Sequence, residues 1–435
     1  MILKVFRDDL LVGILDILAS EPFYGFKYDG EYLSSPEALP LSLSLPLNEL
    51  RFSSEQAQPF FEGLLPEGNA RDSISRRLGV SAQSSVRLIQ ALGRDCAGAI
   101  SIIGEDEYLH MAFELCTQPL ANLYTKLDDG LKNIAQNPRI EIPRLQEDMR
   151  LSLAGAQEKI ALFHNQNADI ENEWYVPVHG MPSTHIIKPG LLEQYYPDIT
   201  LNEFICLRAA MLCGIQTANV DLLYPETPVL VIQRFDRKIE SSKDVEFDRV
   251  TRIHQEDFCQ ASGTKSSFKY EHDGGPGYKK IRDLLSYHSN RPIDDISMFI
   301  KMSIFNYLIG NCDAHSKNFS IFHNPDRTVT LTPAYDMIST TIYDGRFGSK
   351  LSRNMGMKIG LHENIDKINT DDFMLFSKEI RTNLNQLKSY RDEIISKLPN
   401  ALNEAAASAI KKGFTNAPDI ANRILNGCYK RAEII

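Results

Sequence analysis

The chain changes character at about residues 233–236. Ahead of that point lie short β-like runs, Ile160-Ala-Leu-Phe163, Trp174-Tyr-Val176, His185-Ile-Ile-Lys188 and Val229-Leu-Val-Ile232. Behind it come long helical patterns at 276–288, 296–311, 371–397 and 400–412. A chain that segregates strands from helices in this way builds an α+β fold, not alternating βαβ units. One helix interrupts the strands: Leu201 to Leu212 carries Phe204, Leu207 and Met211 at helical spacing and runs into Gly214, which can take the left-handed turn of a helix end. At 435 residues the chain also exceeds what one hydrophobic core organises. The expectation is two lobes, a mixed, strand-rich N-lobe and a mostly helical C-lobe.

A further unit precedes the N-lobe. In residues 1–110, Val5, Leu11, Val12, Ile14 and Leu15 surround a polar turn at Arg7-Asp8-Asp9. Phe23 to Tyr32 alternates aromatic with small or polar residues, as hairpin strands do. Leu41–Leu45 predicts a short strand pinned by Pro40 and Pro46. Pro59–Pro66 and Asn69–Leu78 predict short helices, and Ala97–Ile103 a buried strand. Residues 111–150 read as a connector, polar from 117 onwards; 151–235 complete the N-lobe and 236–435 form the C-lobe.

Composition narrows the class. With 43% hydrophobic and 24% charged residues the chain is globular in character. No apolar run is long enough to cross a bilayer, and the opening Met1-Ile-Leu-Lys-Val-Phe-Arg-Asp-Asp puts acids where a signal peptide needs apolar residues. A soluble, cytoplasmic protein with no membrane contact is expected. The seven cysteines include no Cys-x-x-Cys pair, which suits reduced thiols. A net charge of -10 argues against strong binding of nucleic acid by this chain alone.

Phosphoryl transfer asks a protein for a lid over the phosphates, a cation beside them, oxygen ligands for magnesium, and a carboxylate to orient the attacking hydroxyl. Each has a candidate, in the order found in protein kinases. Asn311-Cys-Asp313-Ala-His-Ser-Lys-Asn318 follows an apolar helix, and its D-x-x-x-x-N spacing is that of a kinase catalytic loop. Asp313 would accept the substrate hydroxyl proton or orient the hydroxyl, and Asn318 would offer its amide oxygen to magnesium. A turn at Asn324-Pro-Asp-Arg327, a strand at 328–331 and then Thr332-Pro-Ala-Tyr-Asp336 return a second carboxylate to the metal, without the glycine of an Asp-Phe-Gly motif. Lys188 ends a β-like run, either beside the α/β-phosphates or as a surface lysine. Glu203 on the following helix either orients Lys188 through an ion pair or is solvated. The segment Leu151–Lys159, with Ser152, Ala154, Gly155 and Ala156, can cover phosphates through its amides or be an ordinary tight turn; its place before the lysine strand favours the first. His315 and Lys317 lie within the catalytic loop and count with the nucleotide contacts, His315 in a supporting role.

Singly, an Asp, Asn or Lys is more often a cap, a turn residue or a solvated charge. In this order and spacing they reinforce one another. The ten histidines lack metal-ligand spacing, which argues against zinc, and no Gly-x-Ser-x-Gly elbow marks a hydrolase. The N-terminal aromatics read as core, not as a base-stacking platform.

Together these segments closely resemble the HipA family, the kinase toxins of bacterial toxin–antitoxin pairs. Matching stretches are Pro40–Leu47, Phe60–Pro66, Leu92-Gly-Arg-Asp95, Ser152–Lys159, Thr184–Lys188, Arg234-Phe-Asp-Arg237, Gln255-Glu-Asp257, Lys269-Tyr-Glu271, Asp273-Gly-Gly-Pro-Gly277, Asp313–Ser320 and Leu331–Ile338. The N-terminal stretches indicate the full-length form. The resemblance implies a two-lobed protein-kinase-like fold and a serine/threonine protein kinase using ATP and Mg2+. In it Asp313 is the catalytic base, Asn318 and Asp336 bind magnesium, Lys188 contacts the phosphates, and the hinge Gln233-Arg234-Phe235 holds adenine, mainly through its backbone. Many relatives have Glu where Gln233 stands.

The same resemblance implies that Ser152 is autophosphorylated, which expels the phosphate-covering loop and switches the enzyme off. It implies a HipB-type helix-turn-helix antitoxin as partner, with DNA reached only through it. The substrate class it implies is translation components, chiefly aminoacyl-tRNA synthetases, whose modification halts growth. One rival reading is an antitoxin-bound corepressor module with a vestigial kinase site; the four retained chemistries at Asp313, Asn318, Asp336 and Lys188 favour the enzyme. A small-molecule kinase is a third, which the motifs near 152 and 273 disfavour.

Overall fold

Alternating apolar side chains at 2–17 fold back at Asp8, so that Leu3 faces Leu15 and Val5 faces Gly13 across an antiparallel pair. The computed structural model describes residues 2–8, 10–17, 24–104, 123–150, 152–155, 157–241, 246–343, 345 and 351–435. Among them, five antiparallel strands are ordered Arg51–Phe52, Tyr24–Tyr28, Leu10–Ile17, Ile2–Arg7, Ile100–Gly104. The helices Ser54–Gly63 and Ser85–Leu92 close one face of this sheet, and Val5, Val12, Phe26, Phe60, Phe61 and Leu88 share its core.

A second antiparallel sheet runs Val220–Leu223, Val229–Gln233, His185–Pro189, Ile160–His164, Trp174–Pro177, Tyr124–Lys126. Its apolar face packs Ile160, Leu162, Ile187 and Val231 with Ile142 and Leu145 of the helix Pro138–Met149. The helix Ile199–Leu212 is buried on every side, as a helix apolar all round must be. Glu193 caps its start, accepting the N–H groups of Asp198 (2.6 Å) and Thr200 (2.9 Å). The helices Tyr278–His288, Pro292–Ile309, Thr370–Glu379, Leu384–Lys411 and Ala417–Ala432 share one core with it, beside a small sheet of Gln255–Asp257, Ser320–His323 and Val329–Leu331. The expected α+β, two-lobed arrangement is the one observed.

Local expectations fail where side chains supply the hydrogen bonds. Leu41–Leu45 is no strand but a tight turn closed by a Ser42–Leu45 bridge. The Tyr28 hydroxyl takes the Leu41 N–H (2.9 Å) and donates to the Leu45 carbonyl (2.6 Å), in place of a ladder. Tyr32 lies in a short helix, Gly30–Ser34, started by the Asp29 carboxylate. The helix expected from Pro59 begins at Ser54, because Ser53 and Gln56 form a capping box. The helical break expected at 398–399 falls at 380–383 instead: Asn383 caps a helix that continues through Pro399 to Lys411. The strands Tyr124–Lys126 and Val220–Leu223 and the final helix had no clear sequence signal.

Candidate active site

The helix Pro292–Ile309 ends at Gly310, whose φ of 73° needs glycine and where a Cβ would collide with the Thr341 side chain. The Gly310 carbonyl accepts the Thr340 (3.0 Å) and Thr341 (3.2 Å) N–H groups, so the chain turns at once into Asn311. The Asn311 side-chain oxygen accepts the Asp313 N–H (3.2 Å), and the His315 N–H closes on the Asp313 carbonyl (2.8 Å). The Asn318 N–H reaches the His315 carbonyl (2.9 Å). Asp313 and Asn318 therefore sit on a fastened backbone.

The hairpin Ser320–His323 with Val329–Leu331 brings the chain back toward Asp336. Ala334 is pinned to the N-lobe, its N–H on the Gln216 carbonyl (2.8 Å) and its carbonyl taking the Ala218 N–H (2.9 Å). Asp336 then adopts φ 52°, a left-handed conformation unusual for a residue with a Cβ and typical of functional positions. Its carboxylate contacts Lys188 Nζ. The same ammonium lies 2.8 Å from Glu203 Oε1, so Glu203 is paired and not solvated, and Lys188 is buried and not at the surface. Asn202, next to Glu203, exchanges two hydrogen bonds with the Ser339 backbone (3.0 and 3.1 Å), which fixes this helix against the Asp336 segment.

Burial alone would neutralise Lys188, but Asp336 and Glu203 outweigh it and hold the ammonium charged. Burial works against the Asp336 carboxylate too, yet Lys188 and Lys159 hold its pKa well below the usual range. Asp313 differs. Its carboxylate opens to the cleft, but the walls strip enough hydration to raise its pKa, against a lowering hydrogen bond from Tyr270.

The Ser152–Gly155 segment is strapped to the N-terminal unit. Ser152 is 1% exposed; its hydroxyl donates to the Leu64 carbonyl (2.7 Å) and its N–H to the Asp95 carbonyl (3.0 Å). Gly155, at φ 108°, bridges Pro66, and its carbonyl accepts the Glu67 N–H (2.9 Å). Ala154 and Gly155 line the cleft, whereas Leu151 and Ala156 lie outside the described residues. At the hinge, the Gln233 and Arg234 N–H groups are used by the Asn219 and Thr184 carbonyls (both 2.9 Å), while among the described residues the Phe235 N–H takes no partner. The Phe235 ring rests on Tyr335 and Phe322. The Arg234 guanidinium is committed to Asp236, Ser183 and the Cys96 carbonyl. His315 is buried, its Nδ1 without a hydrogen-bond partner among the described residues, and burial pushes its pKa down to about 3. Lys317 is buried against Asp257 (2.8 Å) and Ser266 (3.2 Å).

Lys188, Asp313, Asn318 and Asp336 thus line a single cleft of about 1460 Å³, a volume that can take a nucleotide with room beside it. Among the described residues no group of three or more His, Cys, Asp or Glu gathers as a metal cage. One carboxylate and one amide oxygen fit magnesium, which keeps several of its own waters, better than zinc. Three cleft residues had escaped sequence reasoning. Lys159 closes the covering segment and Tyr270 lies in the matching stretch Lys269-Tyr-Glu271, though neither was given a role; Glu67 lacks any local signal.

Two lobes, a lysine–glutamate pair and carboxylates converging beside a hinge define a protein-kinase-like fold. The model of the HipA-like C-terminal domain matches residues 151–406 and that of the HipA N-terminal domain residues 3–103. The chain belongs to the HipA family. It is 38% identical over 361 residues to a Sinorhizobium fredii protein described as "Putative kinase Y4mE", covering 82% of this chain and 80% of that one. It is 32% identical over 353 residues to the serine/threonine-protein kinase toxin HipA of Shewanella oneidensis, covering 79% and 76%. It also superposes on a chain in the Shewanella oneidensis complex of HipA, HipB and operator DNA with a TM-score of 0.79 at 26% identity, covering 98% and 97%.

Proposed function

We propose that the protein is a serine/threonine protein kinase toxin that transfers the γ-phosphoryl group of ATP to a hydroxyl of a protein substrate. The observation that carries this is the meeting of Asp313, Asn318, Asp336 and the Lys188–Glu203 pair in one cleft. Bound magnesium would neutralise phosphate charge, held by Asn318 and Asp336. Lys188 grips the phosphates, the Ser152–Gly155 segment covers them, and the Phe235 N–H serves adenine. Asp313 orients the hydroxyl and takes its proton. Expression of wild type and Asp313→Asn without any antitoxin, with growth and label transfer from γ-labelled ATP to lysate proteins, tests this. Growth arrest with labelled protein for wild type only is expected; equal toxicity without label would overturn it in favour of a corepressor.

Finer features of the reading follow. A dianionic phosphate on Ser152 cannot occupy the site where its hydroxyl meets the Leu64 carbonyl, so autophosphorylation would expel the segment and inactivate the enzyme. Mass spectrometry after incubation with Mg-ATP checks this. The likeness to a toxin solved with HipB and operator DNA supports a helix-turn-helix antitoxin as partner, with DNA contacted through it. Translation proteins, aminoacyl-tRNA synthetases foremost, are the substrates to assay. No described helix is long and apolar enough to cross a membrane, in keeping with action in the cytoplasm.

A further inference from the structure

We propose that Tyr270 is a positioning residue for Asp313: its hydroxyl holds one carboxylate oxygen and so presents the other to the incoming substrate hydroxyl. The proposal rests on the kinase reading. Tyr270 Oη donates to Asp313 Oδ1 at 2.7 Å, across 43 residues of sequence.

The tyrosine is built into place. Its carbonyl accepts the N–H groups of Asp273 (3.1 Å) and Gly275 (3.0 Å). The carbonyl before it, that of Lys269, takes the Ser316 hydroxyl (2.9 Å), which fastens this turn to the catalytic loop itself. Lys269 is in turn paired with Glu67 (2.9 Å) from the N-terminal unit. The Tyr270 ring stands edge-on to His315 (centroids 5.1 Å, 80°) and stacks on His272 (5.4 Å, 19°). A side chain held along its backbone and on two sides of its ring has little freedom to leave the carboxylate.

In the transfer, the substrate oxygen bonds to the γ-phosphorus as the bond from that phosphorus to the β-bridging oxygen breaks. The electron pair leaves with ADP, and the hydroxyl proton passes to Asp313. An acceptor that swings about its bonds meets that proton in productive alignment only part of the time, and loss of alignment costs rate steeply. Fixing Oδ1 fixes the carboxylate plane and leaves Oδ2 as acceptor. The same bond favours the ionised form of Asp313. The alternative is a hydroxyl that blocks the base, and it has the opposite sign: its removal would speed transfer.

The experiment compares full-length wild type with Tyr270→Phe by initial rates of label transfer from γ-labelled ATP to lysate proteins, over ATP concentration and pH. Expected are a maximal rate lower by about 10- to 100-fold, an unchanged apparent KM for ATP, an unchanged melting midpoint, and an acid limb moved to higher pH. A maximal rate equal to or above wild type overturns the proposal, as does an unmoved acid limb. Should Tyr270→Phe melt early, His272→Ala, which removes the stacked ring and its contact with Asp273 (3.5 Å) but keeps the Tyr270 hydroxyl, is expected to give a smaller loss of the same pattern. An inactive wild type removes the kinase reading and this proposal together; an active one matched by Tyr270→Phe removes the proposal alone.

Discussion

At the scale of single residues, pairing and not pH fixes the charge of Lys188 and Asp336. Lys188 is held charged by Asp336 and Glu203, and Asp336 is held ionised by Lys188, so neither changes state near neutrality. On the proposed kinase reading Asp313, raised from the ordinary 3.8, is the group whose protonation sets the acid side of activity. The acid limb of the rate is expected above that value, and a rate still full at pH 4 would refute the assignment. Lys188→Met removes a cation from the developing phosphate charge and should cost about 10²-fold or more in rate, measured by label transfer with the fold checked by circular dichroism. The sequence reveals pairs close along the chain: Lys188 and Glu203 are 15 apart, on a strand and the next helix, and their pairing could be envisaged. It does not reveal Lys269 with Glu67, 202 apart, because nothing local marks two charges that only the docking of separate units brings together.

At the scale of elements, hydrophobic period decided what could be read. The four runs of the second sheet stand at or within a residue of their expected bounds, since strands buried on a packed face leave continuous apolar runs. Boundaries set by a polar side chain were missed, at Ser53, Asp29 and Asn383, and so was the turn at 41–45, where Tyr28 replaces the ladder. That turn docks on the C-lobe through Glu256, whose carboxylate accepts the Ser42 hydroxyl (2.5 Å) and the Leu43 N–H (2.8 Å) and lies 2.9 Å from His323 Nε2. Burial raises Glu256 from 4.5 to about 8, so the folded chain binds a proton there that the unfolded chain has lost. The linked stability is present below pH 4.5 and is lost as pH rises through 8. Burial lowers His254 and His323 to about 3, with the opposite consequence: their stability is lost as pH falls below 6.5. Glu256→Gln leaves the histidines in place, so the stability of this variant relative to wild type should rise between pH 5.5 and 7.5. The rise is at most about 2.7 kcal/mol by linkage; denaturant midpoints at the two pH values measure it, and a constant difference would refute it.

At the scale of the whole molecule, the N-terminal unit lines the cleft and is not an appendage to it. Residues 95–98 form one of its junctions with the lobes. The Asp95 carbonyl holds the Ser152 N–H of the segment 152–155. Its carboxylate, 2% exposed, meets Arg237 (3.2 Å), Arg252 (3.3 Å) and the Ser183 hydroxyl (2.9 Å), on and around the chain that leaves the hinge. The Gly98 N–H reaches Asp236 (2.8 Å), and the Cys96 carbonyl takes Arg234 (3.1 Å). Such a cluster costs much desolvation to assemble, and removing one charge strands the others without a counter-ion. Asp95→Asn keeps the shape and the backbone contact to Ser152 while stripping the charge. The variant should lose about 3–5 kcal/mol of stability and raise the apparent KM for ATP more than it lowers the maximal rate, because it loosens the hinge while Asp313 stays fastened to its own loop. Hydrogen exchange should quicken at both 152–155 and 233–237 together. Faster exchange confined to the N-terminal sheet, with ATP kinetics unchanged, would mean that the unit is held to the kinase lobes without shaping their cleft.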